Sequence, residues 1–385
     1  MLTTLAVHGY RSLREVVLPL APVTVVTGAN GVGKSSLYRS LRLLSETGAG
    51  RLVSSLAHDG GLQRVLWAGP ETVTRAMRTG EVPVQGTGSR RAPISLMLGF
   101  ASDEFGYLVD IGLPIPSQTA FSRDPVLKRE VVFAGPLMRP ATTLVQRKGS
   151  RVLSSGEVVL DDLSDRLSLL SELGDPLHHP EVRAVRHELS GWRFYDSFRT
   201  DPASPARQSA VGTWTPVLAD DGADLAPAIQ TILESAWATR LTEAVAEAFP
   251  GGQLDVAEAG GRFELVFTQR GLLRALNAAE LSDGTLRFLL LAAALLSPRP
   301  PRLLVLNEPE TSLHPQVLPV VAELVSQAAA RTQVVVVSHS DRIVQALAVD
   351  HADQVVHHEL RKEVGETVVA DQGLLSRPPW NWGSR

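Results

Sequence analysis

The stretch "VTVVTGANGVGKSS" constrains this chain more than any other, because an apolar strand runs straight into a glycine-rich turn and then into a segment of different period. Val23 to Val26 read as a buried strand, whereas Leu37, Leu41 and Leu44 recur at helical spacing. The turn between them satisfies G-x-x-x-x-G-K-[ST] through Gly28, Gly33, Lys34 and Ser35. Glycine lets the backbone of Gly28, Ala29, Asn30, Gly31, Val32 and Gly33 wrap close to phosphate oxygens, and the amides that open the helix, through Ser36, face negative charge. Lys34 is placed to neutralise β- and γ-phosphate charge, and the Ser35 hydroxyl to ligate Mg2+. The turn by itself predicts a nucleotide with Mg2+, and the partner motifs decide which class of nucleotide-binding protein this is.

The rest of the chain predicts an α/β fold around that turn. Residues 3–27 read as three short strands, and "PISLMLGFASDEFGYLVDIGL" and "TLVQRKGSRVL" read as hairpins with tips at 102–104 and Gly149. From 161 to 250 the period is helical, with Leu163, Leu167 and Leu170, then Val182, Val185 and Leu189, then Leu225, Ile229 and Ile232; a linker rich in Pro, Ser and Asp interrupts it at 199–224. After 251 strands alternate with helices, as in a parallel sheet with crossover connections. The expected architecture is a P-loop NTPase with a mixed or parallel sheet, an antiparallel β subdomain and a helical insertion. Its expected divisions are a first lobe at 1–160, the insertion at 161–250 and a second lobe at 251–385.

Composition narrows the partners. A net charge of -4 with 20% charged residues gives no overall basic character, so contact with nucleic acid requires a local patch. With no cysteine there is neither a disulfide framework nor a thiolate metal site, which fits a reducing compartment and places the chain in the cytoplasm. The N-terminus lacks the pattern of a secretory leader, and the longest apolar run, "FLLLAAALL", is too short to span a bilayer, so no membrane association is expected.

Three further segments carry chemistry. In "RLLVLNEPE" an apolar strand ends at Asn307 and Glu308, where a P-loop fold places one group in the Mg2+ shell and the next against the attacking water; Glu308 is the expected general base. In "ELSDGTLRF" Ser282 and Gly284 open a helix whose N-terminus can face an anion. A second phosphate-binding terminus makes sense if it serves a nucleotide held by another subunit; a plain serine cap is the alternative. In "VVVVSHSD" His339 ends a strand, from which an imidazole can hydrogen-bond the γ-phosphate, or simply cap the strand.

Taken together, "GANGVGKSS", "LSDGT", "LLVLNEPETSLHP" and "VVVVSHS" resemble the ABC-type ATPase heads of the SMC/RecF/OLD-like class, closest to compact "AAA family" ATPases. The resemblance is strongest at 1–44 and 280–345 and weak between. It implies Walker A at 28–35, a signature at 281–285, Walker B and the catalytic Glu308 at 303–308, a D-loop at 312–315 and the switch His339. It also implies an ATP-dependent homodimer, with ATP between Lys34 of one copy and Ser282 of the other, and a Q-loop glutamine for Mg2+, for which Gln63 is the candidate. Asn307 departs from the class, since most relatives carry Asp there, and a neutral amide is a weaker partner for Mg2+. The segment after His339 is also too short for the Toprim nuclease domain of OLD-type proteins.

The motifs leave three readings. The first is an ATP-hydrolysing head in DNA repair or anti-phage defence, acting on DNA or on a separately encoded effector such as a nuclease or toxin. The second is a non-hydrolysing, ATP-gated switch; the third is a transporter subunit. Arg90, Arg91, Arg147, Lys148 and Arg151 are candidate DNA contacts at hairpin tips. The pairs His178/His179 and His357/His358 lack the spacing of a metal site, and the Trp-containing tail "RPPWNWGSR" is expected to cover the edge of its own sheet.

Overall fold

The computed structural model describes residues 1–70, 74–79, 81–82, 95–115, 118–175, 177–196, 198–351, 354–373 and 375–383. Two compact units result: one comprises Met1–Ala21, Gly28–Gly191 and His358–Arg385, the other Pro22–Thr27 and Trp192–His357. Neither boundary falls at the expected 160 or 250. The strand Val23–Thr27 pairs within the second unit, and the glycine turn that follows it belongs to the first.

In the first unit an eight-stranded antiparallel sheet runs in the order Leu13–Pro19, Leu2–Tyr10, Leu96–Ser102, Phe105–Gly112, Val126–Ala134, Thr143–Lys148, Arg151–Ser154, Glu157–Leu160. The expected hairpins are present. Ser102 closes the first tip, its hydroxyl accepting from the amides of Glu104 (3.2 Å) and Phe105 (3.0 Å). The C-terminal tail covers the face of the central strands rather than an edge. Trp380 meets Phe133 and Trp382 edge-on, with ring centroids 6.2 and 5.3 Å apart, over Ala101, Leu108, Val131 and Met138. An indole buries its large apolar area on a sheet face, whereas an edge offers amides and carbonyls that it cannot pair.

Arg147, a candidate DNA contact, is instead fully buried. It pairs with Glu130 at 3.1 Å, both side chains being 0% exposed, and donates to the carbonyls of Gly149 (2.7 Å), Ser164 (2.7 Å) and Leu167. Glu130 in turn accepts from the Tyr107 hydroxyl (2.6 Å), the Ser168 hydroxyl and the Leu169 amide (2.9 Å). Burial raises the Tyr107 pKa well above its ordinary value, which keeps the phenol protonated as a donor. Leu163, Leu167 and Leu170 do not share a helix. Ser164 and Leu167 give their carbonyls to Arg147, and only Leu169–Glu172 is helical. Of the other tip residues, Lys148 is exposed, Arg151 pairs with Asp161 (2.6 Å), and Arg90 and Arg91 lie outside the described residues.

The second unit is built on four parallel strands in the order Arg193–Tyr195, Leu303–Asn307, Gln333–Val337, Val23–Thr27. Such strands are covered on both faces, and the runs Leu303–Leu306 and Val334–Val337 are buried throughout. The apolar run at 288–296 lies almost wholly in the helix Asp283–Leu295 and is buried in this core with the helix Leu318–Ala329. The segment 199–224 is packed rather than a linker: Ala206 and Leu218 are buried, and the Tyr195 hydroxyl donates to the Leu218 carbonyl at 2.8 Å. Among the described residues no helix is long and apolar enough to cross a membrane.

Removing one partner of a buried ion pair strands the other. Arg147→Ala is therefore expected to lower the unfolding free energy by about 3–5 kcal/mol, measured by urea denaturation, with no change in any affinity for duplex DNA.

Candidate functional site

Parallel pairing brings three chain segments to one edge of the second unit's sheet. Asn307 lies opposite Val337 and Val337 opposite Val26, so Glu308, Ser338 and Thr27 leave the sheet side by side at its carboxyl end. That edge is where open α/β sheets bind ligands. Thr27 is followed directly by Gly28, the first residue of the glycine turn.

Glu308 turns the chain sharply. Its φ of 47° is left-handed, a conformation that costs a non-glycine residue roughly 1–3 kcal/mol and that clusters at functional sites. Three hydrogen bonds hold it: its amide donates to the Val337 carbonyl (2.7 Å), and its carbonyl accepts from Arg287 (3.1 Å) and from the Thr311 amide (3.1 Å). Its carboxylate is 42% exposed. His339 Nδ1 lies 3.8 Å from Glu308 Oε1 and 3.3 Å from Glu310 Oε1, so the expected base and the switch histidine are brought together.

Glu310 was not among the residues expected to act. Its side chain is 7% exposed, and Oε1 accepts from the Ser338 hydroxyl (2.6 Å) and the His339 amide (3.1 Å), so this carboxylate ties the histidine segment to the acidic loop. The other oxygen, Oε2, and Arg287 Nε are buried without a hydrogen-bond partner among the described residues. Desolvation lowers the Arg287 pKa, against the opposing fields of Glu310, Asp196 and Glu308. Asn307 Nδ2 donates to Asp196 Oδ1 at 2.7 Å.

In the same unit Ser282 caps the helix Asp283–Leu295, accepting from the Thr285 amide at 3.2 Å and sharing a 2.8 Å hydrogen bond with the Thr285 hydroxyl. The plain capping role is thus fulfilled within one chain, while the serine stays exposed. Gly284 is required by close approach: a Cβ there would stand 2.8 Å from the Ser312 carbonyl oxygen, in the loop after the acidic strand. Arg207, another residue not expected to act, is buried and donates to the carbonyls of Ala278, Ala279 and Leu281 and to Asp283. It fixes the segment that presents Ser282.

The glycine turn itself belongs to the first unit. Gly28, Gly31 and Gly33 have φ of 143°, 78° and 117°. The helix Lys34–Gly48 begins with no side-chain cap and no acidic residue in its first turn, so its opening amides and positive dipole end suit an anion. The Lys34 ammonium donates to the carbonyls of Gly28 (2.5 Å) and Ala29 (3.1 Å), and Ser35 is exposed. Asn30 and Gly31 are exposed, and nothing lies within 4 Å of where a Gly31 Cβ would stand, which leaves room for a ligand to approach.

The C-terminal hairpin Val355–Glu363 and Glu366–Val369 braces this turn, which sequence reasoning missed. The Thr367 hydroxyl bridges the Val32 carbonyl (2.6 Å) and the Ser12 hydroxyl (2.8 Å), and Lys362 donates to the Gly31 carbonyl (3.2 Å). Any side chain at Gly28 would meet the Leu360 carbonyl, and any at Gly33 the Thr367 hydroxyl. Gln63 is exposed on a four-residue helix, Leu62–Val65. Among the declined histidines, His357 pairs with Thr27 (2.6 Å) and His358 with the Pro19 carbonyl (2.9 Å).

A glycine turn between parallel strand and uncapped helix, with an acidic strand end on the same sheet edge, defines a P-loop nucleotide-binding protein. A family model described as "AAA domain, putative AbiEii toxin, Type IV TA system" matches residues 23–345, and the chain belongs to this family. No curated protein matches it. Among solved structures it is similar to the Smc head domain with an extended coiled coil bound to the C-terminal domain of ScpA, derived from Pyrococcus furiosus. That likeness has 14% identity, covers 96% of this chain and 95% of that one, and has a TM-score of 0.50. The SMC head domain from Thermotoga maritima is also similar, with 14% identity, coverage of 97% and 99%, and a TM-score of 0.46. The fold is a P-loop NTPase fold like that of SMC heads, and the chain is an AAA-type ATPase domain.

Thr367→Val keeps the shape of the brace and removes its hydroxyl, leaving the Val32 carbonyl unpaired. The expected loss is about 1–3 kcal/mol of stability by chemical denaturation, together with weaker binding of ATP in a titration.

Proposed function

We propose that this chain is an ATP-binding and ATP-hydrolysing head that dimerises around nucleotide and controls a partner in anti-phage defence or DNA repair. The observation that carries this reading is the shared sheet edge, where the strand entering the phosphate loop, Glu308 and His339 emerge as neighbours. The opening amides of the helix Lys34–Gly48 and the Lys34 ammonium would hold the triphosphate. Mg2+, when bound, would be held by Ser35 and Asn307, with Gln63 as a further candidate, and would neutralise phosphate charge. Glu308 would take the proton of the attacking water, and His339, held by Glu310, would donate to the γ-phosphate. Ser282, exposed at the start of its helix, would contact the nucleotide of a second copy.

The partner is better sought among proteins than on DNA. Arg147 is spent inside the fold, Arg151 is paired with Asp161, and the net charge is negative, which weighs against a basic patch among the described hairpin-tip residues. The family description names a type IV toxin–antitoxin system, which favours a role in defence over one in repair. Asn307 favours a second reading, a non-hydrolysing switch that responds to ATP binding alone.

Steady-state phosphate release separates the two. Glu308→Gln is expected to reduce it by roughly 100-fold or more, and equal rates for variant and wild type would leave only the switch. Gel filtration of Glu308→Gln with ATP is expected to show a dimer that Ser282→Arg returns to monomer; a monomer under every condition would remove the nucleotide-bridged pair.

A further inference from the structure

Asn307 leaves a Mg2+ site short of charge. An amide is neutral, and Mg2+ is usually held by one or two carboxylates together with phosphate oxygens and several retained waters. The neighbouring strand carries a carboxylate at the same level. Arg193–Tyr195 runs parallel to Leu303–Asn307 with Tyr195 opposite Leu306, so Asp196 leaves the sheet beside Asn307, one strand spacing or about 4.8 Å away. The two side chains meet at 2.7 Å, Asn307 Nδ2 donating to Asp196 Oδ1. A carboxylate offers about four acceptor positions, so it can serve more than one donor at a time.

The surrounding charges point the same way. Asp196, Glu308 and Glu310 all act on the one buried guanidinium of Arg287, and Glu310 Oε2 remains buried without a partner among the described residues. Three carboxylates thus gather at this sheet edge, faced by the Arg287 guanidinium and, at Glu308 and Glu310, by the His339 ring. A second carboxylate on the adjacent strand also explains how the acidic strand can end in a neutral residue, since the charge need only lie within reach of the metal's waters.

We propose that Asp196 supplies the carboxylate function that Asn307 lacks, serving the Mg2+ of bound ATP through metal-held water while its hydrogen bond to Asn307 keeps both groups in place. This rests on the nucleotide-binding reading above. The sequence gives no sign of it, because Asp196 and Asn307 are adjacent only through the pairing of two strands from distant parts of the chain.

The test is equilibrium binding of a fluorescent, non-hydrolysable ATP analogue to the full chain, in Mg2+ and in EDTA, for wild type, Asp196→Asn, Asn307→Asp and the double variant. Asp196→Asn is isosteric and keeps an acceptor for the Asn307 amide. It is expected to weaken binding in Mg2+ by about 10- to 100-fold while leaving the affinity in EDTA unchanged. The double variant moves the carboxylate one strand across and is expected to recover most of the Mg2+-dependent gain, which a merely structural role for Asp196 would not produce. An Asp196→Asn protein with the full wild-type response to Mg2+, or a double variant no better than Asp196→Asn, would overturn the proposal. Wild type that binds the analogue in neither condition would overturn the nucleotide reading itself, and this inference with it.

Discussion

The parallel register of four strands is the constraint on which the rest of this structure depends. Because neighbouring strands run the same way and end at the same level, the residues that follow them cannot avoid one another: Thr27, Glu308, Ser338 and Asp196 are set side by side by backbone pairing alone. Every group in the acidic half of the site inherits its position from that edge. The left-handed turn at Glu308 is sustained there by the Val337 carbonyl and by Arg287, and Glu310 then ties Ser338 and His339 to the same loop. A site assembled this way has its backbone positions set by strand pairing, the kind of arrangement that electrostatic stabilisation of a developing charge requires.

Buried arginines form a second theme. Arg147, Arg207 and Arg287 are all nearly or wholly excluded from solvent, and each offers its fork of donors to backbone carbonyls. Arg147 holds an irregular segment against the antiparallel sheet, Arg207 fixes the stretch before Ser282, and Arg287 supports the backbone of Glu308. Guanidinium suits this role because five donors in a planar fork can satisfy several acceptors at once and the charge is never lost.

Much of this architecture was legible in the residues. The glycine turn, the apolar strands ending at Asn307 and Val337, and the helical period after Lys34 each follow from local pattern, and local pattern is what sequence shows. Arg147 was misread for the complementary reason: a charge in "QRKGSRV" looks like a solvated hairpin tip, and nothing nearby in sequence reveals Glu130 waiting beneath it. Glu310, Arg207, Thr367 and Asp196 went unrecognised because their partners lie far along the chain. Thr367 in particular braces Val32 from the opposite end of the sequence, and the hairpin that carries it adds a close approach to the left-handed φ that already favours glycine at 28 and 33. The helical period of Leu163, Leu167 and Leu170 failed in a segment that Arg147 ties down and that is irregular until Leu169.

The central claim, that a triphosphate sits on the opening amides of the helix Lys34–Gly48 and engages the Glu308 edge, is tested most directly by amide hydrogen exchange of the full chain with and without a non-hydrolysable ATP analogue and Mg2+. Slowed exchange at 29–37 together with 307–310 is the expected result. Unchanged exchange at 29–37 under saturating analogue, whatever happens elsewhere in the chain, would contradict it.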